Sequence, residues 1–144
     1  MEIWQLAAHE LIRSTINRYA HCADGGRFDE LVELFVADGV LDIAGRDSIR
    51  GRDAIRTFLT STKTSLAAAA TRPFIRHHVS SIDIHVQDRE HATARSYFFV
   101  ITERGPDHWG RYRDELVPED GLWRFQRRMV RLDGRAAGSV TGNQ

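Results

Sequence analysis

"FIRHHVSSIDIHVQD", Phe74 to Asp88, is the stretch at which the chain changes its period. Before it, apolar residues recur every three or four positions; from it onward they recur every second position. Alternation of that kind marks a strand with one covered face. The segments that follow, "EHATARSYFFVITER", "DHWGRYRDELVPED" and "GLWRFQRRMVRLDG", alternate in the same way. The turn sequences "QDRE", "RGPD" and "PEDG" separate them. This predicts four consecutive strands joined by hairpins.

Working backward from Phe74, Pro73 stops any helix before it. "IRGRDAIRTFL" predicts a helix with Asp53 in its first turn and Ile55, Phe58 and Leu59 facing inward, which "SLAAAA" extends or frays. "GVLDIAG", residues 39 to 45, is short, partly β-branched and bounded by glycines, and reads as a strand. "FDELVELF" predicts a short helix with Phe28, Leu31, Leu34 and Phe35 on one face. Between residues 5 and 24, Ile12, Ile16, Tyr19, Ala20 and Ala23 form one buried stripe of a long helix, which Gly25 and Gly26 end. Three helices followed by a long meander predict an α+β domain. The helices pack on a strongly curved, mixed but mainly antiparallel sheet, giving a cone-shaped α+β barrel with an open mouth. The domain covers residues 1–134, and 135–144, "RAAGSVTGNQ", reads as a flexible tail.

A chain of 144 residues is long enough to bury a real core and a pocket. Twenty basic and twenty acidic residues cancel without blocks of one sign, which argues against nucleic acid or a membrane surface as partner. The single cysteine, Cys22, rules out an intramolecular disulfide and suits a reducing compartment. "MEIWQLAAHELIR" lacks the form of a signal peptide, and no long apolar run occurs, so a cytoplasmic location is expected.

The chemistry concentrates at two places. Asp24 stands at the negative end of the first helix, where a carboxylate is disfavoured unless something else holds it. It either satisfies the Gly-Gly turn or serves a site at the cone mouth. His77 and His78 are adjacent on a strand, so one faces the helices and the other faces away. A carboxylate bonded to one imidazole nitrogen fixes the tautomer and makes the other nitrogen a proton acceptor. A metal site from His21, Asp24 and His77 or His78 lacks a compact ligand motif. Nucleophilic catalysis lacks G-x-S-x-G, and Cys22 sits in an apolar helix. One arginine of "QRRMVR" is a candidate to meet an anionic group, against the plainer reading of a solvated strand face.

"RYAHCADGGRFDELVELFVADGV", "GRDAI", "RHHVSSIDIHV", "ATARSYFF", "GRYRDEL" and "DGLWRF", in that order, resemble the SnoaL-like branch of the nuclear-transport-factor-2-like superfamily. That branch includes scytalone dehydratase, the dehydrochlorinase of lindane breakdown and polyketide cyclases. The resemblance runs from about residue 8 to residue 133 and implies the cone fold, with dimers or trimers formed through the sheet. It also implies a proton-transferring dyad of Asp24 and His77. Scytalone dehydratase has a tyrosine directly before its acid, where this chain has Ala23; its second pocket histidine falls near Ser96 and a pocket asparagine near Tyr112. Tyr112 then either supplies a phenolic donor to a developing enolate or fills the cone.

The expectation is a lyase or isomerase of dehydratase or cyclase type that needs no cofactor and no metal. Its substrate is a small, hydrophobic, oxygenated molecule, cyclic or polyketide-like. Asp24 and His77 are the catalytic candidates; Tyr112, Ser96, Tyr19 and His78 are the substrate-binding ones. Two other readings stand beside it: a noncatalytic binding or scaffolding module, and the small subunit of a ring-hydroxylating oxygenase. The expected partners are the small substrate and further copies of the chain.

Overall fold

The computed structural model describes residues 1–69 and 74–141, with side chains omitted for 64–69. The first helix, α1 (Ile3–Gly25), begins at a reciprocal cap in which Gln5 Oε1 accepts the Glu2 N–H at 2.8 Å. It ends where Gly26 turns left-handed, at φ 67°. There the Gly26 and Arg27 amides donate to the Ala23 and Cys22 carbonyls, at 3.2 and 2.9 Å. Only glycine takes that turn without strain, which explains Gly26, the second of the two glycines after Asp24. The apolar stripe is as periodicity predicts: Ile12, Ile16, Tyr19 and Ala20 are buried and Ala23 partly so.

The second helix is shorter than expected. α2 (Phe28–Val32) stops after five residues, and β1 (Phe35–Ile43) begins four residues before Gly39. Leu34 and Phe35 are buried as predicted, but Phe35 is a strand residue paired with Phe125. β-Sheet pairing overrides the local helical spacing here, because Phe125 N–H donates to the Leu34 carbonyl at 2.7 Å and ties this turn to the sheet. A two-residue strand, β2 (Ile49–Arg50), has no counterpart in the expected pattern. α3 (Arg52–Ala69) carries "SLAAA" as helix, and Pro73 lies outside the described residues. β3 (Ile75–Val86), β4 (Ala92–Thr102), β5 (Gly105–Glu119) and β6 (Leu122–Arg135) are the four predicted strands.

The six strands form one sheet in the order β2-β1-β6-β5-β4-β3. All pairs are antiparallel except β1 with β6, which is parallel. The sheet is curved but does not close, since β2 and β3 remain edges. α1 packs on β3 and β6, and Thr15 Oγ1 donates to the Trp123 carbonyl at 2.5 Å to join helix and sheet. Of the 135–144 segment, residue 135 ends β6, and three residues hydrogen-bond to Asp107: the Ala136 amide to its carbonyl, Ser139 and the Val140 amide to its carboxylate.

Two irregularities position the side chains. In β3, Ser81 adopts φ 53° and the pairing slips between Ser80 and Asp83. This bulge carries the inward set from Ile75, His77 and Val79 to Ile82, Ile84 and Val86. In β5, the pairing slips between Val100 and Ile101, leaving Asp107 as the extra residue beside His108. At Gly110 an added Cβ would lie 2.1 Å from the Arg131 carbonyl oxygen, so β5 and β6 approach there as only glycine permits.

Candidate functional site

His77 enters the mouth from β3, and Asp24 meets it from the last turn of α1. His77 Nδ1 lies 2.6 Å from Asp24 Oδ1, and the His77 backbone N–H donates to both carboxylate oxygens at 3.1 Å. This resolves the position of Asp24 at an unfavourable helix end: its carboxylate leaves the helix and spans to a neighbouring strand. A carboxylate only accepts, so Nδ1 carries a proton, and in the neutral ring Nε2 holds the lone pair. The two side chains are 12% and 17% exposed, so solvent reaches both. His78, on the other face of β3, is exposed and stacks on Phe99 with ring centroids 4.7 Å apart. The structure therefore places His78 apart from the other five candidates. His21 is exposed on α1.

Below the dyad the cone is filled. Tyr19, Phe35, Tyr112 and Phe125 pack edge to face or tilted, with centroids between 5.2 and 6.3 Å. Arg128 lies at their centre, its guanidinium carbon 3.7 Å from the Tyr112 ring centre and 4.3 Å from that of Tyr19. It donates through Nε and Nη2 to the two Asp114 oxygens at 2.8 and 3.0 Å. Both side chains are fully buried. Burial works against the Arg128 charge, but the Asp114 charge and hydrogen bonds outweigh it and raise its pKa, so the guanidinium stays charged. Among the described residues, Arg128 Nη1 and the buried Ser96 Oγ have no hydrogen-bond partner. Burial likewise raises the phenol pKa values of Tyr19 and Tyr112, and Tyr112 senses the Asp24 charge. Both phenols are therefore neutral donors. Ser96 and Tyr112 are directly paired on β4 and β5, facing inward.

A second histidine–carboxylate pair, Asp107 and His108, belongs to the same end of the sheet. His108 Nδ1 lies 2.7 Å from Asp107 Oδ2. Burial lowers the His108 pKa, Asp107 opposes this, and nearby His77 adds to the lowering. Burial also opposes the Asp107 charge, but hydrogen bonds from His108, Ser139 and the Val140 amide outweigh it and lower the Asp107 pKa.

Sequence reading singled out neither this pair nor Asp114, and left Arg128 as one unspecified arginine of three. A side-chain bond between residues 107 and 108 depends on a bulge that alternation alone does not announce. The signal for Arg128 was its register: it shares an inward parity with Val130 two positions on. Two further recesses lie away from the dyad. A broad one of about 980 Å³ is lined by Arg46, Asp47, Asp53 and Phe58, and one of about 370 Å³ by Ser81, Asp83, Arg95 and Arg111.

The SnoaL-like domain family matches the chain over residues 4–129. Among solved structures, a candidate scytalone dehydratase from Novosphingobium aromaticivorans is 28% identical, with a TM-score of 0.79, covering 92% of this chain and 88% of that one. A nuclear-transport-factor-2-like protein with a cystatin-like fold, from the same organism, is 30% identical with a TM-score of 0.80, covering 94% and 88%. The β subunit of a candidate aromatic-ring-hydroxylating dioxygenase, also from that organism, shares the fold at 18% identity and a TM-score of 0.73, covering 94% of each. No curated protein matches the chain. Among the described residues, no helix is long and apolar enough to cross a membrane.

Proposed function

The chain belongs to the SnoaL-like domain family, with the nuclear-transport-factor-2-like fold, and from that premise we propose that it is a cofactor-independent lyase or isomerase. Its substrate is a hydrophobic, oxygenated small molecule, cyclic or polyketide-like. The observation that carries this reading is the 2.6 Å bond between Asp24 and His77 at the partly exposed mouth. Neutral His77 takes a proton at Nε2 from a carbon next to a carbonyl. Asp24 holds the ring in that tautomer and stabilises the imidazolium that forms. The imidazolium then returns the proton, to a departing hydroxyl in a dehydration or to another carbon in an isomerisation. Tyr112, a neutral phenol beneath the dyad, donates toward the developing enolate oxygen. Ser96 offers a hydroxyl with no partner among the described residues, and Tyr19 packs beneath, shaping the floor.

The likeness to the candidate scytalone dehydratase supports the same class of chemistry. The test is nitrogen NMR of the histidine rings together with turnover of a panel of dehydratable and enolisable cyclic ketones. In the wild type His77 holds one neutral tautomer; in Asp24→Asn that preference is lost and turnover falls about 10²- to 10⁴-fold. Equal turnover in the two proteins would falsify the mechanism.

The filled floor favours a second reading, a binding or scaffolding module that uses only the mouth. In that case Asp24→Asn leaves ligand affinity unchanged. Under either reading we propose a homodimer or homotrimer through the sheet. Its outer face exposes Tyr97, Phe99, Trp109 and Met129, a larger apolar surface than a solitary sheet needs. Sedimentation of the purified protein tests it, and a monomer at all concentrations would rule it out.

A further inference from the structure

His77, Val100 and His108 stand in one row across three strands. His77 pairs with Val100 and Val100 with His108, so all three share the inner face of the sheet. Val100 is fully buried between them. The outer two positions are therefore two strand spacings apart, roughly 9–10 Å between backbones. Each imidazole has its Nδ1 tied to a carboxylate, at 2.6 Å for His77 and 2.7 Å for His108. Each therefore has Nε2 left as an acceptor. The His108 side chain is 12% exposed, close to the 17% of His77.

An undisturbed strand would send Asp107 and His108 to opposite faces; the bulge at Asp107 brings them together. Asp107 is in turn fixed by Ser139 Oγ at 2.7 Å and the Val140 amide at 3.1 Å. The His108 ring also meets the edge of Phe98, at 6.2 Å between centroids. The orientation of His108 is thus determined from two sides, by a carboxylate that is itself held in place and by the Phe98 ring, as that of a group with a positional task would be.

We propose that His108 is a substrate-contacting residue of the same site, whose Nε2 accepts a hydrogen bond from a hydroxyl of the molecule on which His77 acts. This rests on the lyase or isomerase reading and narrows its substrate to a hydroxylated compound long enough to reach both imidazoles across Val100. No proton is transferred at His108; the bond aligns the molecule so that the carbon to be deprotonated faces His77. The contact discriminates strongly, because a partner lacking the hydroxyl leaves a half-buried acceptor unpaired.

The experiment compares 2-naphthol with 2-methoxynaphthalene, which differ in the hydrogen-bond donor, using protein labelled with nitrogen-15 in its histidines. In the wild type, 2-naphthol moves the His108 Nε2 resonance and binds about tenfold more tightly than the ether. In His108→Phe the two probes bind equally, and in His108→Gln, which keeps an acceptor, part of the preference returns. The assignment fails if the wild type binds the probes equally or not at all, or if the preference survives in His108→Phe. Should either variant unfold, the wild-type resonance decides alone, and an unmoved His108 Nε2 signal overturns the proposal. The readout is binding, so it remains distinct from Asp24→Asn turnover, whose failure would remove the lyase reading.

Discussion

The floor and the mouth of the cone each contain a carboxylate holding a nitrogen group at hydrogen-bond distance, and they differ in what surrounds the bond. Arg128 and Asp114 bond at 2.8 Å with no exposure at all, beneath a cover of aromatic rings. Asp24 and His77 bond at 2.6 Å within reach of solvent. The distances are similar, but the consequences diverge. A sealed pair has no route for a proton and no partner to exchange, so its charges are fixed and its role is to organise the core. An accessible imidazole with one nitrogen committed and the other free can take a proton and give it back. The contrast teaches that the carboxylate–base motif marks structure or chemistry according to burial.

The largest expected effect breaks the floor. Arg128→Ala leaves Asp114 as an uncompensated buried charge and is expected to cost about 3–5 kcal/mol in urea unfolding. Replacing both partners with apolar residues, Arg128→Met with Asp114→Leu, should recover most of that loss. Asp24→Asn should change stability by about 1 kcal/mol or less, the worth of an ordinary hydrogen bond, while removing activity. If Asp24→Asn proved as destabilising as Arg128→Ala, the mouth would be structural too, and the division drawn between the two pairs would fall.

The next effect concerns the pair of intermediate burial. The folded-state pKa of His108 is lowered, so the unfolded chain binds more protons there as pH falls below about 6.5, the ordinary histidine value. Stability conferred by the neutral ring is therefore present above pH 6.5 and lost as pH falls through the lower folded value. The Asp107 pKa is also lowered, which adds a separate loss below about pH 4. Melting temperature measured against pH should fall on acidification from 7 to 5, and His108→Gln should flatten that limb and shrink the one below pH 4, where Ser139 and the Val140 amide still hold the Asp107 carboxylate. An unchanged profile in His108→Gln would show that the acid sensitivity arises elsewhere.

Much of this was legible in the residues. The four long strands and the two long helices follow from period alone, because each presents one apolar face to a common core. Asp24 was legible from an acid at an unfavourable helix end, and adjacent strand histidines required one of His77 and His78 to face inward; only the family resemblance, not parity, preferred His77. What the pattern hid depends on pairing. Phe35 has helical spacing from Phe28 and Leu31 but joins β6, and nothing local signals a partner 90 residues away. The bulges at Ser81 and Asp107 are invisible to strict alternation, although the apolar positions do shift phase between Val79 and Ile82. The depth of Arg128 was hidden for a related reason: its cover comes from Tyr19 on α1 and Tyr112 on β5, which only the fold brings together.

The smallest effect sharpens the comparison most simply. Arg95 donates to Asp83 at 2.9 Å, nearly the distance of the buried arginine pair, but on the outer face with both side chains mostly exposed. Water screens such a pair and its long side chain must be ordered, so a double-mutant cycle with Arg95→Ala and Asp83→Ala should give about 0.2–1 kcal/mol. Raising salt to about 1 M should reduce that further, because the screening length falls to about 3 Å. The same measurement bears on assembly. If a second copy covers this face, the pair is desolvated in the oligomer, and the coupling will exceed 1 kcal/mol, resist salt, and fall back to the exposed value on dilution below the dissociation constant. A weak coupling at every protein concentration would mean that Arg95 and Asp83 stay in water, and any interface through the sheet must then lie over the Phe99 and Trp109 end instead.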